Sequence, residues 1–193
     1  MTIRLYSALL FAMSIIAVSC NGGKDDDQPD TSCTYCACCE TTPLSDSFQA
    51  GSSIAKVYIP NIIVVGSSDV ANANFAVFAN DAVEKIAAVK LLDPNGNLLF
   101  GSAELPANQP IWNALMSPDM TANPQYYDGS FEYIITVRAV GGLTKTYTGS
   151  ACVVQCNNTN DFPAANLPKC GFPSQNDLGT FVGGTPAVVT ECF

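Results

Sequence analysis

Sulfur carries most of the chemical capacity of this chain. Nine of its 193 residues are cysteine and none is histidine. Four thiols crowd into Cys33-Thr-Tyr-Cys36-Ala-Cys38-Cys39. Four more, Cys152, Cys156, Cys170 and Cys192, stand near the other end, with none between residues 40 and 151. Thiols so arranged can pair as disulfides, ligate zinc or copper(I), or exchange electrons through a Cys-x-x-Cys pair. Setting aside Cys20, eight remain, and an even number outside the cytosol points to four disulfides. A bridge needs Cα atoms about 4.4–6.8 Å apart, so the first four would strain one another if paired only locally. Pairing some of them with the later four is easier and staples both ends of the chain to what lies between. The metal reading stands beside it, because Cys33 and Cys36 with two further thiolates make a ligand set, although the second knuckle of a zinc ribbon is absent.

The missing histidine removes Ser-His-Asp and Cys-His catalysis and titration near neutrality. Paired carboxylates remain as an acid–base device. The central acids, Asp69, Asp81, Glu84, Asp93, Glu104, Asp119, Asp128 and Glu132, fall mostly in turns or on the polar side of a strand. Solvated surface carboxylates are the expectation there. There is no phosphate loop, nucleophile elbow or dinucleotide fingerprint. Trp112 with Tyr126 and Tyr127 could form an aromatic platform, but packing makes the stronger demand on such side chains. We expect no enzyme, no catalytic residue, no metal and no cofactor.

Seventeen acidic against eight basic side chains give a net charge of −9. That balance argues against a nucleic-acid partner, which needs clustered Lys and Arg. The first twenty residues form an address: Arg4 opens a short positive region, residues 5–18 are apolar, and small residues precede Cys20. The run is too short for a membrane span and breaks into polar sequence at Asn21. Ala17-Val18-Ser19-Cys20 resembles a bacterial lipobox, which implies that Cys20 is acylated and becomes the first residue of the mature chain. Each buried methylene adds about 0.8 kcal/mol of membrane affinity, so several acyl chains on one cysteine anchor firmly. Lys24, Asp25, Asp26 and Asp27 resemble the surface-export signal of Bacteroidota lipoproteins. The same residues also read as a solvated linker, and as a tether residues 21–32 would span roughly 20 Å. A calcium loop lacks the alternating spacing of its ligands here.

These groups need a scaffold, and the middle of the chain supplies strands. Residues 54–59 alternate and stop at Pro60-Asn61; residues 62–65 follow, then a loop over 66–74. Residues 75–78 form the next strand. Residues 86–92 lead into Asp93-Pro-Asn-Gly-Asn97, a turn sequence from which residues 98–100 return. Residues 83–92 could also form a short helix, but the hairpin turn behind them favours a strand. The clearest strand is 131–140, with Phe131, Tyr133, Ile135, Val137 and Ala139 on one face and Glu132, Ile134, Thr136 and Arg138 on the other. Gly141-Gly142 suits a tight turn, residues 143–148 pair back, and residues 150–154 form a last strand. Residues 187–190 could add an edge strand. Short strands at this spacing predict an all-β, Ig-like antiparallel β-sandwich.

Several motifs occur in a recognisable order: Tyr58-Ile59-Pro60-Asn61, then Leu91-Leu92-Asp93-Pro94-Asn95-Gly96-Asn97-Leu98-Leu99-Phe100, then Trp112. Gly129-Ser-Phe131-Glu-Tyr133-Ile-Ile135 and Tyr147-Thr-Gly149-Ser-Ala-Cys152-Val153-Val154 complete the set. Residues 57–154 thereby resemble the gliding-motility-associated C-terminal domain of Bacteroidota, the type B sorting domain of type IX secretion. The family's acidic loop is replaced here by residues 65–74, where Asp69, Asn72 and Asn74 could stand in as oxygen ligands. The segment is also not terminal, since residues 155–193 follow it.

The expected organisation is a signal peptide over 1–19, an acidic tether with the cysteine cluster over 20–52, a β-sandwich over 53–154, and a cysteine-containing extension over 155–193. The expected function is that of a surface-exposed outer-membrane lipoprotein, held to the membrane by its lipid anchor. Its non-catalytic sandwich would serve protein interaction, adhesion or envelope structure. One alternative is a component linked to the type IX secretion or gliding machinery. Another is a metal-binding protein built on the first cysteine cluster.

Overall fold

The computed structural model describes residues 42–116, 125–156 and 170–184, all within one compact unit, Cys33–Phe193. Cys20, Lys24, Asp25, Asp26, Asp27, Cys33, Cys36, Cys38, Cys39, Cys192 and the strand expected over 187–190 lie outside the described residues.

The described residues form strands and no helix. In chain order these are β1 (Leu44–Ala50), β2 (Ser53–Ile59), β3 (Ile62–Val65), β4 (Phe75–Ala76), β5 (Phe78–Ala79), β6 (Val83–Leu92), β7 (Leu98–Leu105), β8 (Pro110–Trp112), β9 (Gly129–Ala139), β10 (Thr144–Gln155), β11 (Asn176–Asp177) and β12 (Thr180–Phe181). One sheet has the order β1-β2-β5 and a larger one β3-β10-β9-β6-β7; β4-β8 and β11-β12 are separate pairs. The ladders are antiparallel except for β3 with β10. A single core joins both main sheets: Val57 and Ile59 of β2 belong to the same buried cluster as Ile86 of β6, Ile135 of β9 and Val153 of β10. The chain is thus all-β, with two sheets on a shared core, consistent with a β-sandwich.

Alternation explains the main strand. Along β9, Phe131, Tyr133, Ile135, Val137 and Ala139 are buried, while Glu132, Ile134, Thr136 and Arg138 face away. Phe131 meets Phe75 and Trp112 edge-on at 5.3 Å each. Such large side chains contribute roughly 1.5–3 kcal/mol apiece when withdrawn from water. Both expected turns form. The Asp93 carboxylate accepts from the Asn95 and Asn97 backbone N–H groups at 2.9 and 2.8 Å, and Gly96 takes a φ of 83°. Gly141 and Gly142 take φ values of 93° and 89°, a region that costs an L-residue with a β-carbon.

Other expectations need correction. Residues 143–148 and 150–154 are one strand, β10, because Gly149 continues the ladder opposite Tyr133. Residues 75–78 are two short strands: Phe75 pairs with Trp112 while Phe78 pairs with Tyr58, so the chain changes sheets at Val77. Residues 83–92 are a strand, but bulges shift its register at Val83/Lys85 and Ile86/Ala88. The bulges leave Val83, Ile86 and Val89 buried at three-residue spacing, which is why the segment also reads as a helix. β1 begins ahead of residue 53, where the sequence reading starts the β domain. In the extension, residues 170–184 lie on the body. Tyr58 donates to the Phe172 carbonyl at 2.9 Å and stacks on Phe181 at 5.5 Å. Buried Asn61 donates its N–H to the Gly171 carbonyl at 3.1 Å and accepts from the Gly171 N–H at 2.6 Å.

Candidate functional site

β3 runs beside β10 only from Cys152 to Gln155. The stretch of β10 before that, residues 144–151, has β9 on one side and, among the described residues, no strand on the other. Beside this stretch lies a groove of about 800 Å³, lined by residues 42–46 on one wall and by residues 132–134 and 148–150 on the other. Tyr133 lies at its floor. The absence of a side chain at Gly149 makes room for the Tyr133 ring, since a β-carbon there would collide with the phenol. Burial pushes the Tyr133 hydroxyl up to about 12, so at neutral pH it is a hydrogen-bond donor and acceptor.

Asp46 of the groove wall takes part in a polar bridge. Lys145 of β10 donates to the Asp46 carboxylate of β1 at 2.6 Å, and the Tyr147 hydroxyl donates to the same oxygen at 2.8 Å. The Lys145 ammonium also lies 5.2 Å from the Phe48 ring centroid and 5.4 Å from that of Tyr147, an electrostatically favourable placement. Partial burial raises the Asp46 carboxyl, but the hydrogen bonds from Lys145 and Tyr147 outweigh it and hold it below the ordinary value. Burial, followed by that hydrogen bond, pushes the Tyr147 hydroxyl up. Asp46 therefore acts as an acceptor tying two sheets together.

Two other strand edges, on β2 and β5, are capped by side-chain amides. Asn80 accepts from the Lys56 N–H at 3.0 Å and donates to the Ile54 carbonyl at 2.8 Å. Asn108 does the same to the N–H and carbonyl of Ala79, at 2.9 Å each. Each amide mimics a peptide group and occupies the edge where another strand would pair. Along β3, the Val64 N–H donates to the Asn72 carbonyl at 2.7 Å.

The residues singled out from the sequence are dispersed. Cys152 and Cys170 are buried, Cys156 is half-buried, and all three are disulfide-bonded. Asp69, Asn72 and Asn74 serve their own loop. Asp69 accepts from the Ala71 N–H at 3.0 Å and from the Asn72 amide at 3.2 Å. Asn74 donates to Val70, while buried Asn72 accepts from the Ser174 N–H at 3.0 Å. Among the described residues no group of three or more Cys, Asp or Glu side chains is arranged to hold a metal ion. Glu84 and Glu104 form a surface ion network with Lys85 and Arg138. Trp112 is buried, packed on Phe131, and donates to the Leu115 carbonyl at 3.3 Å. The groove, its Tyr133 floor and the Asp46 bridge were not visible in the sequence; alternating hydroxyls at 144, 146, 148 and 150 around Gly149 were the available signal.

No family model and no curated protein matches the chain. Among solved structures it is similar to CopC from Methylosinus trichosporium OB3b, with 15% identity and a TM-score of 0.33, over 58% of this chain and 95% of that one.

Proposed function

We propose that this chain is an exported, lipid-anchored protein of the outer-membrane surface, whose β body binds other macromolecules and catalyses nothing. The observation that carries this reading is the disulfide-bonded state of Cys152, Cys156 and Cys170. Disulfides persist in oxidising compartments, which supports export, and the leader ending at Cys20 supplies the route and the anchor. In its full form the reading has four bridges, with Cys33, Cys36, Cys38, Cys39 and Cys192 supplying the remaining partners. It also has the two sheets closing as an Ig-like sandwich. Lys24 and Asp25 to Asp27 then act as the export signal and as the tether that lifts the body off the membrane.

Protease added to intact cells tests the surface placement. The wild-type chain is expected to be degraded, and a variant with Asp25→Ala, Asp26→Ala and Asp27→Ala to be protected while still fractionating with membranes. Equal degradation of both chains would reduce the acidic cluster to a linker. Protection of both would refute surface exposure.

A further inference from the structure

We propose that the open edge of β10 is a docking site for an extended strand of a partner polypeptide carrying a basic residue. This rests on the reading of the body as a binding module and names the surface that does the binding.

The Cys152 N–H donates to Asn61, away from β9, and the Cys156 N–H donates likewise to Val65. Backbone groups alternate sides along an antiparallel strand. The N–H and carbonyl groups of Thr144, Thr146, Thr148 and Ser150 therefore point to the open side, while residues 145, 147 and 149 serve the β9 ladder. A donor and an acceptor recurring every second residue, about 6.6–6.8 Å apart, are matched by another extended backbone.

Among the described residues the edge also lacks the usual guards. Asn80 and Asn108 cap the edges on β2 and β5. Lys145, a residue type that often protects an edge, is instead drawn inward to Asp46. The Tyr133 side chain belongs to a residue only 5% exposed. Its hydroxyl has no hydrogen-bond partner among the described residues and opens on the groove, so an incoming backbone would supply one. Glu132 on the groove wall has no cation beside it among the described residues, whereas Asp46 already has Lys145. With a net charge of −9 on the chain, a basic residue opposite Glu132 is the complementary choice.

The test uses the full chain and an acetylated, amidated probe peptide, Lys-Val-Thr-Val-Lys-Val-Thr-Val. Amide hydrogen exchange is followed at Thr146, Thr148 and Ser150. These amides are expected to exchange freely in the monomer and to slow at least about tenfold at saturating probe, as a newly formed hydrogen bond requires. Thr148→Pro removes one outward donor without touching the β9 ladder and is expected to melt like the wild type yet lose the protection. Glu132→Lys provides a second variant that leaves the backbone alone, expected to weaken this probe about tenfold and to favour the same peptide with Glu in place of Lys.

Slow exchange in the free monomer would show that the chain itself covers this edge and would overturn the proposal. Protection that rises with protein concentration and without probe would assign the edge to a second copy, with the same consequence. Undiminished binding by Glu132→Lys, or no binding at millimolar probe, would also overturn it. These readouts use purified protein, so they fail or succeed independently of the cell-surface assay.

Discussion

Gly149 lies directly across the β9–β10 ladder from Tyr133, whose phenol occupies the space a β-carbon at 149 would take. The pair makes β10 continuous and gives the groove its floor. Gly149→Ala is expected to destabilise the fold by about 1–3 kcal/mol, the usual cost of overpacking. Tyr133→Phe, which removes the hydroxyl, is expected to recover part of that loss in the double variant. Denaturant titration of the four chains measures the coupling, and an unaltered midpoint for Gly149→Ala would contradict the packing described.

Asn61 joins the body to the later segment through both of its hydrogen bonds to the Gly171 backbone. Asn61→Ala leaves the buried Gly171 N–H without its acceptor, a loss of about 1–3 kcal/mol. Amide exchange is expected to accelerate first at residues 171–175. Uniform acceleration across β9 and β10 instead would mean that the segment does not open by itself.

The Asp46 bridge sets an acid limit. A carboxyl whose folded value is depressed contributes stability above its unfolded value, near 3.8 here, and loses that contribution as pH falls through the folded value. The wild type is therefore expected to lose stability faster below about pH 4 than Asp46→Asn, with both profiles flat from pH 5 to 7 as far as this group is concerned. Parallel acid profiles would remove Asp46 from the account.

Reduction is expected to lower the melting temperature by several degrees at least, since a native bridge is worth about 2–4 kcal/mol. Cys152 and Cys170 lie among buried residues, so the lost cross-links would act on the body itself. An unchanged transition under reducing conditions would mean that the bridges do not constrain it.

β9 was legible because alternation survives wherever a strand has one buried face and no bulge. β6 was ambiguous because its bulges moved Ile86 and Val89 off that period. β1 was hidden because its inward positions, Leu44, Asp46, Phe48 and Ala50, include a carboxylate, and the partner that makes this tolerable, Lys145, lies 99 residues away. The β11–β12 hairpin turns at Leu178 and Gly179 with φ values of 45° and 78°. A leucine in that region is not a turn signal that sequence alone offers. The expected leader and the first cysteine cluster rest on local patterns alone and lie outside the described residues. The groove could not be read from local pattern, because it is made by what β3 leaves uncovered.

The most direct test of the central claim is intact mass spectrometry of the mature chain purified from membranes. The account predicts a protein that begins at Cys20, carries acyl chains on that residue, and loses both the acyl mass and membrane association in Cys20→Ala. A soluble, unacylated chain retaining residues 1–19 would contradict it.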